Sequence, residues 1–148
     1  MSATANRKKS GMCLCGAVKF RAHVPDSAIQ LCHCQQCQRW TGGGPLSVVR
    51  VKDVEISGQD MIQSYHASAH GERAFCKVCG TNLYWKMQDH SVAFLPVGLF
   101  DDQDDMAVRE EIFVDRRPEW LPAHQGANQQ DEAAMQAQLR DYLESHDS

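Results

Sequence analysis

Seven cysteines in 148 residues fall into three tight clusters, and no other feature constrains the chain so strongly. They are Cys13-Leu14-Cys15-Gly16, Cys32-His33-Cys34-Gln35-Gln36-Cys37 and Cys76-Lys77-Val78-Cys79-Gly80. An odd number at these spacings, with no apolar leader after Asn6-Arg7-Lys8-Lys9, argues against a disulfide framework and for metal binding in a reducing, cytoplasmic setting. Seven divides naturally into four and three. A structural zinc closes a tetrahedron with four protein ligands, whereas a reactive zinc keeps three and an open position.

Glycine indicates which clusters belong together. Cys15 and Cys79 are each followed directly by Gly, which accepts the positive φ of a tight ligand turn and lets backbone N–H groups approach sulfur. Each also leads into a strand-like run, at residues 17–21 and 81–85. Two such knuckles facing one another predict a closed site of Cys13, Cys15, Cys76 and Cys79. A zinc ribbon of Cys34-x-x-Cys37 with Cys76-x-x-Cys79 is the rival pairing, but ribbons usually separate their pairs by roughly 15–20 residues and this gap is far longer. Cys32, Cys34 and Cys37 remain as a soft, three-thiolate site suited to a sulfur-bearing ligand, with a helical turn over 35–40 favouring negative charge there. His33, between two of these cysteines, is expected to point away. Thr41 and Gly42, with Gly43 and Gly44, are candidates for substrate contact, since glycine allows close approach; the alternative is that Gly42-Gly43-Gly44-Pro45 is an ordinary connecting loop.

The remaining residues bound the fold and its partners. With 43% hydrophobic and 23% charged residues the chain has material for a core, and 15 Lys+Arg against 19 Asp+Glu deny it the basic footprint of a nucleic-acid binder. No apolar run approaches the roughly 20 residues of a membrane-spanning helix. Val18, Phe20, Ala22 and Val24 alternate with Lys19, Arg21 and His23, the pattern of a half-buried strand. Similar runs at 46–51, 54–57, 62–65, 91–97 and 111–115 predict a mainly β domain. After Pro122, Met135, Leu139, Tyr142 and Leu143 recur at helical spacing, which predicts an amphipathic helix begun near Asn128 or Asp131. The expected organisation is a flexible tail over 1–9, a zinc-binding domain over 10–122 and a helical extension over 123–148, as monomer or homodimer. His66 and His70 read as solvated, and Asp101–Asp105 as an exposed acidic turn without the Gly and Glu of a calcium loop.

Taken together, Gly11-Met12-Cys13-Leu14-Cys15-Gly16, Cys32-His33-Cys34-x-x-Cys37-x-x-x-Thr41-Gly42 and Arg73-Ala74-Phe75-Cys76-x-x-Cys79-Gly80-Thr81 resemble the glutathione-dependent formaldehyde-activating enzyme family, which shares its domain with centromere protein V. The resemblance extends through Val97–Asp102, Ile112-Phe113 and Pro118-Glu119-Trp120-Leu121. It implies a β-tent of antiparallel strands, a structural zinc on Cys13, Cys15, Cys76 and Cys79, and a second zinc on Cys32, Cys34 and Cys37 as the catalytic residues. The activity it implies is carbon–sulfur lyase chemistry, the reversible joining of glutathione to formaldehyde. Two positions depart from the family pattern: Glu111 stands where many members carry His, and Gln38 where Arg is frequent. The alternatives are a zinc-stabilised binding module without chemistry and an enzyme of this family with a different thiol substrate.

Overall fold

The structure, a computed structural model, describes residues 8–90 and 92–146. Residues 1–7 of the expected tail therefore lie outside the described residues, whereas Lys8 and Lys9 open the first strand. In chain order the elements are β1 (Lys8–Met12), β2 (Lys19–His23), β3 (Ala28–Cys32), α1 (Gln35–Thr41), β4 (Leu46–Ser57), β5 (Ile62–Tyr65), β6 (Gly71–Cys76), β7 (Asn82–Met87), β8 (Ala93–Pro96), β9 (Ala107–Ile112), β10 (Asn128–Gln130) and α2 (Glu132–Ser145). The mainly β architecture expected from alternation is present. The described chain divides into two compact units, one of residues 8–29 and 47–107, the other of residues 30–46 and 108–146.

In the first unit, antiparallel neighbours run β4-β8-β7-β6-β5, and the β1–β2 hairpin joins β4 through β2. The alternation after the first knuckle has its expected consequence: Val18, Phe20, Ala22 and Val24 are buried, with Val49, Val51, Leu83, Leu95 and Phe100 in the same core. Phe20 meets Phe100 edge-on at 5.2 Å between ring centroids, an arrangement the aromatic quadrupole favours. Two expected runs, 46–51 and 54–57, are a single strand. Asp53 sits at φ 51° between them, where the register against β2 shifts, so a bulge absorbs the polar interruption.

The acidic turn at Asp101–Asp105 is exposed, and it has a partner. Lys9 points inward on β1 with its side chain only 7% exposed, and its ammonium lies 3.0 Å from Asp105 Oδ1 and 3.5 Å from Asp102 Oδ2. It also donates to the Asp102 carbonyl. These contacts supply the counter-charges that a buried ammonium requires.

In the second unit β9 lies between β3 and β10. The β9–β10 pairing is parallel, a departure from the antiparallel expectation. The strand expected at 111–115 stops at Ile112: Phe113 adopts φ 56° and a 3-10 turn follows over Val114–Arg116. Asn128 and its neighbours, expected to open the helix, form β10, and α2 begins after Asp131, whose Oδ1 accepts the Ala134 N–H at 2.9 Å. No residue of α2 is buried, although Met135, Tyr142 and Leu143 are half-covered. Among the described residues no helix is long and apolar enough to cross a membrane.

Candidate metal centres

The first unit gathers the sulfurs of Cys13, Cys15, Cys76 and Cys79, each within 4.8 Å of the others. The two knuckles have matched geometry. Gly16 and Gly80 take φ 80° and 79°, and their N–H groups return to the carbonyls of Cys13 and Cys76 at 3.1 and 2.8 Å. A Cβ at this φ would strain the backbone, which is why the residue after each cluster is glycine. Backbone N–H groups of Ala17 and Val18 donate to Cys15 and Cys13 sulfur at 3.4 and 3.3 Å.

Thr81 ties the knuckles together, accepting the Leu14 N–H at 3.0 Å and placing its hydroxyl 3.1 Å from Cys79 sulfur. Its hydroxyl and backbone favour the Cys79 thiolate and bring that thiol down to about 5. The Ala17 N–H favours the Cys15 thiolate too, but desolvation and the crowding sulfurs of Cys79, Cys13 and Cys76 prevail and push it up to about 11. Four thiolates this close repel one another until a cation joins them. The donor set fits zinc: Cys13–Cys15 and Cys15–Cys76 sulfur separations of 3.7 and 3.9 Å match the edge of about 3.8 Å that a tetrahedron with Zn–S bonds of about 2.3 Å demands.

The second unit gathers the remaining three, Cys32, Cys34 and Cys37, again within 4.8 Å of one another. Within this unit the sulfurs of Cys34 and Cys37 cluster with Cys32. The expected helical turn is α1. Cys34 is its N-cap, and its sulfur accepts the Cys37 N–H at 3.3 Å, so the helix itself holds two of the sulfurs in place. Cys32 and Cys37 are buried while Cys34 is half-buried. Crowding by Cys34 and Cys37, reinforced by burial, pushes the Cys32 thiol up. Three soft donors with no fourth sulfur among them suit a zinc that keeps one position open. At the other end of α1 the Thr41 hydroxyl donates to the Cys37 carbonyl at 2.9 Å, and the Gly42 N–H bonds the Gln38 carbonyl. Nothing lies within 4 Å of where a Cβ would stand on Gly42, Gly43 or Gly44.

His33 does not join the sulfur cluster. Its ring is fully buried, and Nε2 lies 2.6 Å from Glu111 Oε1. Glu111, 1% exposed, accepts from the His124 N–H and from the Gln129 amide at 2.7 Å each through Oε2, with Arg117 Nη1 3.4 Å from Oε1. Burial raises a carboxyl, but the Gln129, His124 and His33 hydrogen bonds and the Arg117 charge prevail and hold Glu111 down at about 2. Gln38 donates to the carbonyls of His33 and Arg116 at 2.8 Å each. The two positions that depart from the family pattern thus converge on His33. His33 Nδ1 is buried with no hydrogen-bond partner among the described residues.

The family model described as glutathione-dependent formaldehyde-activating enzyme matches residues 8–116. The chain belongs to this family. A relative named as an uncharacterised lyase of Schizosaccharomyces pombe is 26% identical over 110 residues, covering 74% of this chain and 80% of its own length. A Halomonas elongata protein, provisionally named a glutathione-dependent formaldehyde-activating enzyme, is 26% identical over 125 residues, with 75% and 78% covered. A crystal structure of a Rhodobacter sphaeroides protein shares the fold at a TM-score of 0.53 and 20% identity, over 62% of this chain and 87% of that one. Both cysteine clusters lie inside the segment that matches the formaldehyde-activating family, whereas His124 and Gln129 lie beyond it.

Proposed function

We propose that this protein is a zinc-dependent carbon–sulfur lyase acting on adducts of a small thiol such as glutathione with an aldehyde, formaldehyde being the reference partner. The observation that carries this reading is the second cluster. Four converging cysteines answer a structural need, while three further cysteines around a short helix do not close a tetrahedron. Zinc fits both donor sets, two per chain, one on Cys13, Cys15, Cys76 and Cys79 and one on Cys32, Cys34 and Cys37. When bound at the three-cysteine site it supplies a soft Lewis acid able to take a thiolate or polarise a carbonyl oxygen.

Cys32, Cys34 and Cys37 hold that metal and are the catalytic residues. Cys34, the least buried of them, marks the side from which a ligand arrives. Thr41 shapes the approach by holding the end of α1, and Gly42 borders it with open space. In the joining direction the thiol sulfur bonds the aldehyde carbon, the carbonyl π pair moves to oxygen, and the proton lost from sulfur ends on that oxygen. The lyase direction reverses each step, and nothing is oxidised or reduced.

The test is a metal count together with an assay. Two zinc ions per chain, one of them removable by chelator with the fold intact, and condensation of glutathione with formaldehyde faster than the spontaneous background are expected. One tightly held zinc and no acceleration would overturn the reading in favour of a binding module.

A further inference from the structure

We propose that Glu111 is a positioning residue for the three-cysteine site, its carboxylate clamping the His33 ring and thereby fixing the backbone that carries Cys32 and Cys34. The inference rests on the reading of that cluster as a metal site. His33 and Glu111 are the two largest fully buried side chains among the described residues, and both are ionisable. Burying such a pair costs desolvation that a well-packed apolar pair of similar volume would avoid, so stability alone is a poor account of it. The arrangement does confer orientation. His33 is held at three points: its N–H donates to the Ile112 carbonyl at 3.0 Å, its carbonyl accepts from Gln38, and its ring meets Glu111.

A residue fixed in this way leaves the peptide units on either side little freedom, and those units carry two of the three sulfurs. Three thiols that crowd one another would otherwise swing apart. Glu111 is itself fixed, because its carboxylate's partners among the described residues come from the same unit: His33, Arg117, the His124 N–H and Gln129. Three of these partners, Arg117, the His124 N–H and Gln129, lie past the family-matched segment, so residues C-terminal to it brace the site. Glu111→Gln is not conservative here, since its NH2 would face two donors wherever its oxygen serves His33.

The experiment is a Co2+ titration of the full chain, followed by the sulfur-to-cobalt charge-transfer and d–d bands. The four-cysteine site serves as an internal reference and Leu46→Ala, a buried apolar truncation in the same unit, as a stability control. Wild type is expected to bind two Co2+. Glu111→Gln and Glu111→Ala should weaken the three-cysteine site by about 10–100-fold and alter its d–d bands, leaving the four-cysteine site unchanged, while Leu46→Ala changes neither by more than about threefold. Gln129→Ala, at an exposed position, should shift the same site in the same direction by less, and it carries the test if the Glu111 variants do not fold. An unchanged three-cysteine affinity and spectrum in the Glu111 variants, or in Gln129→Ala where those do not fold, overturns the inference, as does equal weakening by Leu46→Ala. A wild-type protein that binds a single Co2+ overturns the underlying metal reading instead, so the two failures are distinguishable.

Discussion

At the scale of single residues the seven cysteines separate by what each group has to hold up. Cys76 and Cys79 belong to the unit that carries the apolar core, and structural zinc in small domains contributes folding free energy outright. Cys79→Ser is therefore expected to lower the melting temperature sharply or to aggregate. Cys34→Ser should leave the melt largely intact while removing one metal and the activity; calorimetric melts with elemental analysis compare the two, and equal collapse would mean that both clusters are structural. Glu111 makes a second prediction, with a definite sign. Its folded pKa of about 2 lies below the ordinary 4.5, so it contributes stability that is present above pH 4.5 and lost as pH falls toward 2. Urea denaturation across that range should show the gap between wild type and Glu111→Gln narrowing as the solution is acidified; a constant gap would mean the carboxylate is not specially stabilised.

At the scale of elements, β1 depends on a contact that its own residues do not reveal. Lys9 lies on the inward side of a short strand, and only the acidic turn makes that tolerable. Lys9→Met keeps the apolar stem and removes the charge, leaving Asp102 and Asp105 without their cation. The expected loss is about 1–2 kcal/mol, in the range of a charged hydrogen bond partly screened by solvent. The Asp104 N–H, which donates to Asp102 Oδ1, and the Lys9 charge hold the Asp102 carboxyl down, and against burial the Lys9 and Ser27 contacts do the same for Asp105. The loss should thus be full above the ordinary carboxylate range and fade below it. Urea melts at neutral and acid pH measure this, and a variant as stable as wild type would show the ion pair to be idle.

At the scale of the whole molecule, the proposed three-thiolate zinc implies a preference among ligands. A three-thiolate zinc with an open position should prefer a fourth sulfur to a carboxylate, so glutathione should bind through its thiol and S-methylglutathione far more weakly. Binding should strengthen as pH rises toward the thiol pKa of about 8.5, because coordination releases that proton. Calorimetry in buffers of different ionisation enthalpy counts it. Equal binding of both peptides with no proton release would exclude direct coordination and leave the metal to act on the aldehyde.

Whatever depends on near neighbours could be read along the chain. Glycine after Cys15 and after Cys79 reports a positive φ wherever the turn sits, so the four-plus-three division of cysteines was legible without a fold. Alternation at 18–24 and an Asp before a helical run are equally local, and both have their expected consequences. β3 and β6 were not legible, because neither alternates cleanly; β6 carries Glu72 and a buried Arg73. The acidic turn gave no sign of Lys9, nor Thr81 of Leu14, 67 positions away. Glu111 was visible only as a departure from a pattern, and its meeting with His33 across 78 positions belongs to the tertiary structure alone. The physical reason is that burying a charge becomes tolerable only when partners from distant segments arrive together, and that coincidence is written in strand register and turn geometry rather than in the neighbours of either residue.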